Sequence, residues 1–141
     1  MRYDIHSWVG RYLVPGFALC TLTRCTNSTG PKLSPCSGTV TVTVTASLSP
    51  TVSWTPNCLI DQLVIEESLP PSVGGLHSVW VITARTPGRG AAAPVRYGRV
   101  PASMEELVAA EPLVMGRSYR IRVAASGAAL GEIPFTYWAP D

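Results

Sequence analysis

Charge and catalytic chemistry are what this chain has least of. Only 14% of its 141 residues are charged, the formal net charge is +2, and there are two histidines. A balance so near neutrality lacks the electrostatic footprint that a nucleic-acid backbone requires, although Arg117, Arg120 and Arg122 lie close together and Arg85, Arg89, Arg96 and Arg99 precede them. Solvated strand faces account for these arginines, and no nucleic acid is expected as a partner. The four cysteines, at 20, 25, 36 and 58, form no close pair and have no supporting histidine, so no metal site is expected. No Gly-rich phosphate loop follows a strand, no Gly-x-Ser-x-Gly elbow is present, and His77 has no Cys or Asp beside it in sequence. The expectation is a non-enzyme without a cofactor. Glu66-Glu67 and Glu105-Glu106 are pairs of the kind that glycoside hydrolysis uses. Neighbours on a strand point to opposite faces, however, so Glu66 and Glu67 cannot both address one site.

An apolar run of membrane-spanning length is also missing. A spanning helix takes about 20 apolar residues, whereas residues 12–22, YLVPGFALCTL, are fewer and contain Pro15. With Arg2 and Arg11 ahead of it, this run reads as the short hydrophobic region of an export signal. Leu22-Thr23-Arg24-Cys25 follows, and then a polar stretch with Gly30 and Pro31. The arrangement resembles the start of a mature bacterial lipoprotein, whose chain is cleaved ahead of a cysteine that becomes lipid-modified. Leu22 stands three residues before that cysteine, as in such signals; Arg24 departs from the small residue they carry directly before it. The resemblance implies a lipid anchor on Cys25, a membrane as partner and an extracytoplasmic location, membrane-anchored or secreted. The competing reading is a tail on a cytoplasmic domain.

What the chain has in quantity is Thr, Val, Ser, Pro and Gly, within a composition that is 46% hydrophobic. That mixture suits short strands joined by turns and predicts an all-β protein. Its length fits one domain plus a tail: a signal-like or mis-started segment over 1–25, a tether over 26–35 too polar to fold alone, and a domain over 36–139. Thr39 to Thr45 alternates strictly, with Val40, Val42 and Val44 on one face. Val52 and Trp54 continue the pattern between Pro50 and Pro56, and Leu63 and Ile65 mark a third strand. Dense β-formers at 78–83, a short strand at 95–100, an alternating strand from Tyr119 to Ala125 and a return through Ile133, Phe135 and Tyr137 bring the count to about seven. Ser103-Met104-Glu105-Glu106 has the spacing of a helix capping box, which predicts a short helical insertion near 103–110. If the first two strands are adjacent and antiparallel, Cys36 before one lies near Cys58 after the other. A Cys36–Cys58 disulfide is then geometrically open to them, the alternative being two buried thiols.

Two motifs carry a family resemblance. In Leu113 to Val123, LVMGRSYRIRV, Leu113 and the turn residue Gly116 precede Tyr119, the last tyrosine before an alternating strand; in Val52-Ser53-Trp54-Thr55-Pro56 a Trp closes the second strand ahead of a Pro. Both resemble the fibronectin type III-like, immunoglobulin-like β-sandwich. The resemblance implies that Trp54 is buried and that Tyr119 pins a corner between sheets through its hydroxyl. Binding would then fall to loops at one end of the sandwich, chiefly 68–76 and 86–94, with Trp80, Tyr97 and Arg89 as candidate contacts for an unknown protein or carbohydrate. Trp80 alternates with Val79 and Val81, so either the Trp or the valines face outward. The competing function is a carbohydrate-binding accessory module or small hydrolase that uses Glu66 or Glu67 with exposed aromatics.

Overall fold

Strict alternation of Val and Thr makes one face of a strand apolar and leaves the other fit for water, and the chain begins its first strand on that pattern. The computed structural model describes residues 32–138 apart from Pro71; Cys25 and the signal-like segment lie outside the described residues. Eight strands follow in order: β1 (Thr41–Thr45), β2 (Thr51–Thr55), β3 (Gln62–Ser68), β4 (Leu76–Ala84), β5 (Val95–Arg96), β6 (Met104–Val108), β7 (Ser118–Ala125) and β8 (Ala128–Thr136). They form two sheets, a three-stranded one in the order β1-β2-β5 and a five-stranded one in the order β6-β4-β3-β7-β8. Every strand pairing is antiparallel. The described residues are thus all-β, with two antiparallel sheets.

Both sheets turn their apolar faces to one core. From the small sheet come Val42, Val52, Trp54 and Val95; from the large one come Leu63, Ile65, Trp80, Ile82, Tyr119, Ile121 and Val123. Trp80, Ile65, Ile82 and Ile121 are fully buried, and each buried side chain of this size contributes roughly 1.5–3 kcal/mol over its exposed state. The sheets also touch along one side, where Val40 N–H donates to the Leu130 carbonyl at 3.0 Å. Gly131 is required there: a Cβ on it would stand 2.4 Å from the Val40 carbonyl oxygen.

The helical insertion expected near 103–110 is not formed. Residues 104–108 are strand β6, paired with β4 through Ala84↔Met104, Thr83↔Glu105 and Ile82↔Glu106. Both ends of the expected capping box find distant partners instead. Ser103 Oγ donates to the Gly90 carbonyl at 2.8 Å, and Glu106 Oε1 accepts from Trp80 Nε1 at 2.8 Å. Met104 between them is fully buried. Local capping preference is worth about 1 kcal/mol, and burial of Met104 with a full ladder to β4 outweighs it. β6 is also the strand that raises the count from seven to eight. Ordered pairing begins ahead of Cys36, since Leu59 N–H donates to the Ser34 carbonyl at 2.9 Å, so the tether ends earlier than residue 35.

Candidate functional site

Antiparallel hairpins send alternate connections to opposite ends, and this separates the two loops that the sequence points to. The β3–β4 connection over 69–75 closes one end of the sheets. The β4–β5 connection over 85–94 lies at the other, beside the β7–β8 turn and the entry of the chain at Lys32. The expectation that 68–76 and 86–94 make one binding surface is corrected accordingly.

The entry end is built around Asp61. Its carboxylate accepts from Gly88 N–H at 2.8 Å and from Ser126 N–H at 2.9 Å, which ties the β2–β3, β4–β5 and β7–β8 connections together. Ser126 takes a φ of +51° and Gly127 one of +77°, the two positive values that a two-residue hairpin turn needs. Behind the carboxylate, Ile60 and Ala91 exchange backbone hydrogen bonds of 2.9 and 3.0 Å. Gly90 makes that possible, because a Cβ there would lie 1.7 Å from the Ile60 carbonyl oxygen. Cys36 and Cys58 are joined in a disulfide. Arg89 is exposed and lines a surface cleft with Lys32, Leu33, Pro35 and Leu59. That rim carries two cations and no carboxylate.

The aromatics are placed differently from one another. Trp54 is 3% exposed, and its Nε1 donates to the Cys58 carbonyl at 2.9 Å, so the Trp and the disulfide brace the same turn. Trp80 is 0% exposed. It faces the core because Ile65 opposite it and Ile82 two residues on both face inward, and it is withdrawn as a binding contact. Val81 faces outward on the large sheet, beside Val64 and in a row with Arg122. Tyr97 meets Trp80 edge-on, with ring centroids 5.2 Å apart, and its hydroxyl donates to the Glu111 carbonyl at 2.6 Å. Burial pushes the Tyr97 phenol well above its usual range, with smaller contributions from Tyr119, Glu111 and Glu106. A phenol held neutral in the fold stabilises it below the unfolded value of about 10 and loses that contribution as pH rises further. Unfolding measured from pH 8 to 11 should show a stability decline that Tyr97→Phe makes shallower; identical slopes would contradict this.

Tyr119 is buried, and its hydroxyl accepts from Val114 N–H at 2.9 Å. The ring stacks on Phe135 at 5.5 Å. Leu113 packs against the core beside it, and Gly116 turns the chain with a φ of +76°. Removing the hydroxyl alone leaves the part-buried Val114 amide without its protein partner, so Tyr119→Phe should cost about 0.5–1.5 kcal/mol in urea unfolding. A neutral result would show that water replaces the hydroxyl.

Glu66 and Glu67 sit on opposite faces and are both engaged. Glu66 pairs with Arg120 at 3.0 Å and Arg122 at 3.7 Å, while Glu67, 8% exposed, pairs with Arg117. His77 meets Glu111 at 3.0 Å on the surface. Among the described residues no group of three or more His, Cys, Asp or Glu is placed to hold a metal ion. No family model matches this chain, and no curated protein or solved structure matches it. Its function therefore has to be argued from its own residues.

Sequence reasoning missed the far end. Leu48, Val73, Val114, Met115 and Trp138 are exposed there outside the strands, and Leu76 at the very start of β4, where no periodicity marks them. Asp61 was missed as well, because a lone carboxylate in a connection gives no sign of the two amides it will meet.

Proposed function

We propose that the chain is a fibronectin type III-like sandwich serving as a non-enzymatic binding or structural module outside the cytoplasm, anchored through a lipid on Cys25 at a bacterial cell envelope. The Cys36–Cys58 disulfide carries the reading, since such bonds persist in oxidising compartments and are rare in the cytosol. The strand order, with Trp54 inward and Tyr119 reaching back to the chain ahead of β7, supports the fold-family part of the proposal. No helix of the described residues is long and apolar enough to cross a membrane, so attachment in this reading rests on Cys25 and the short tether. The carbohydrate-module or hydrolase alternative loses its support: Trp80 is interior, and Glu66 and Glu67 are each held by arginines. Arg89, on the rim with Lys32, remains available to a partner; Tyr97 is committed to Glu111.

Intact mass of the protein from its native host, before and after reduction with thiol alkylation, tests the proposal. A mass fitting cleavage before Cys25 with added acyl groups, and two thiols that alkylate only after reduction, is the expected result. A full-length mass with four freely alkylated cysteines would reject export and anchor together.

A further inference from the structure

A lipid on Cys25 would hold the domain close to the bilayer. Lys32 comes seven positions after Cys25, and that length of chain, fully extended, spans at most about 25 Å. The Asp61 end, where the chain joins the fold, is therefore the end within reach. Three exposed cations stand there: Lys32, which is the only lysine of the chain, and Arg85 and Arg89 in the β4–β5 connection. Their main chain is pinned. Leu59 N–H donates to the Ser34 carbonyl at 2.9 Å and Cys36 N–H to the Leu59 carbonyl at 2.8 Å, while Gly88 N–H is held by Asp61. Arg85 Nε donates to the Met104 carbonyl at 3.0 Å. A Cβ on Gly88 would lie 3.4 Å from the Pro35 ring, so the two segments pack together. Lys32 and Arg89 line the cleft of about 550 Å³ between them, with Leu33 and Leu59 half-buried beside them.

Among the described residues none of the three cations makes an ion pair. Asp61 is the only acid in the segment 32–40 and in the β2–β3, β4–β5 and β7–β8 connections, and both of its oxygens already accept main-chain amides. At the opposite end the charges are spent within the chain, Arg117 on Glu67 and His77 on Glu111. Arg96 and Arg99 are also without ion pairs, on and just after edge strand β5. We propose that the Asp61 end docks on an anionic bilayer, with Lys32, Arg85 and Arg89 meeting headgroup phosphates, so that anchor and cations together fix one orientation of the domain. The proposal rests on the reading that Cys25 carries a lipid. Charge complementarity selects an anionic occupant, and the short span from Cys25 selects the bilayer among anionic occupants, since the chain itself holds that surface within reach. Each cation near an anionic lipid surface strengthens attachment roughly fivefold, so three give roughly a hundredfold. That holds a free domain weakly, and it is ample to orient one that its own tether keeps at the surface.

Because Lys32 is the only lysine, its acetylation reports the docking directly. The acylated protein from its native host is inserted into the outer leaflet of vesicles of phosphatidylcholine, alone or mixed with phosphatidylglycerol, and treated with an uncharged acetyl ester; mass spectrometry then gives the rate at Lys32. The expected rate is at least fivefold lower in the mixed vesicles, and about 0.5 M salt should abolish the difference by screening. Arg89→Glu should restore the fast rate, whereas Arg96→Glu, a change of the same charge on β5, should leave the protection in place. Equal rates in the two kinds of vesicle would overturn the docking and leave the anchor standing. A mass without acyl groups on Cys25 would remove anchor and docking together. Protection lost in Arg96→Glu and kept in Arg89→Glu would put the bilayer against β5 and overturn the assignment. Equal protection by glycerol phosphate added to pure phosphatidylcholine vesicles would make the cleft a site for a small phosphate and overturn it as well.

Discussion

Trp80→Ala should lower the unfolding free energy by about 3–5 kcal/mol, the range for removing a buried large aromatic. The side chain is fully buried at the centre of the large sheet's inner face, between Ile65 across the ladder and Tyr97 from the opposite side. Its loss opens a cavity that two rigid sheets cannot close, and it removes the donor that Glu106 accepts from. Since domains are stable by about 5–15 kcal/mol in all, the variant is expected to be partly unfolded near 37 °C. Trp80→Phe keeps most of the volume and should cost less than half as much. Urea titrations followed by circular dichroism decide the matter, and a loss below about 1 kcal/mol for Trp80→Ala would mean that Trp80 is not the centre of the core.

Reduction of the Cys36–Cys58 bond should cost about 3 kcal/mol, because the bond closes a loop with a sequence separation of 22 and reduction restores that freedom to the unfolded chain. The effect should appear as a lower urea midpoint in reductant, and a Cys36→Ala, Cys58→Ala variant should be insensitive to reductant while matching the reduced protein. The Trp54 bond to the Cys58 carbonyl adds to the loss if the turn loosens. An unchanged midpoint after complete reduction, confirmed by thiol titration, would mean that packing around Trp54 already fixes the turn.

How much of this fold could be read in advance depended on whether the signal was local. Val40, Val42, Trp54, Leu63, Ile65, Tyr119, Ile121 and Val123 are buried as their alternation predicts, since period-two patterning writes directly onto a half-buried strand. Residues 103–108 were not legible in this way. The capping spacing is a local cue, and it was overridden by partners, Gly90 and Trp80, that only the tertiary fold brings near. Trp80 itself was ambiguous because Val79, Trp80 and Val81 are all apolar. A register shift between Val81 and Ile82 on one side, and another at Ile65/Glu66 on the other, decides their faces, and bulges carry no pattern in sequence. The apolar far end was least legible: its residues are scattered over 90 positions and come to one end only through three connections and the segment after β8.

The disulfide also sets how the domain bears a load. A pull on the N-terminal tether enters at Cys36, crosses directly to Cys58 and runs on into β3, the middle strand of the five-stranded sheet. Strands β1 and β2 lie inside the covalent loop and are bypassed, so tension reaches the middle strand of the larger sheet while these two strands stay slack. Stretching single molecules between their ends should accordingly release less contour than the domain contains, short by the span between the cysteines, and reductant should restore it; full extension without reductant would show that the force takes another path.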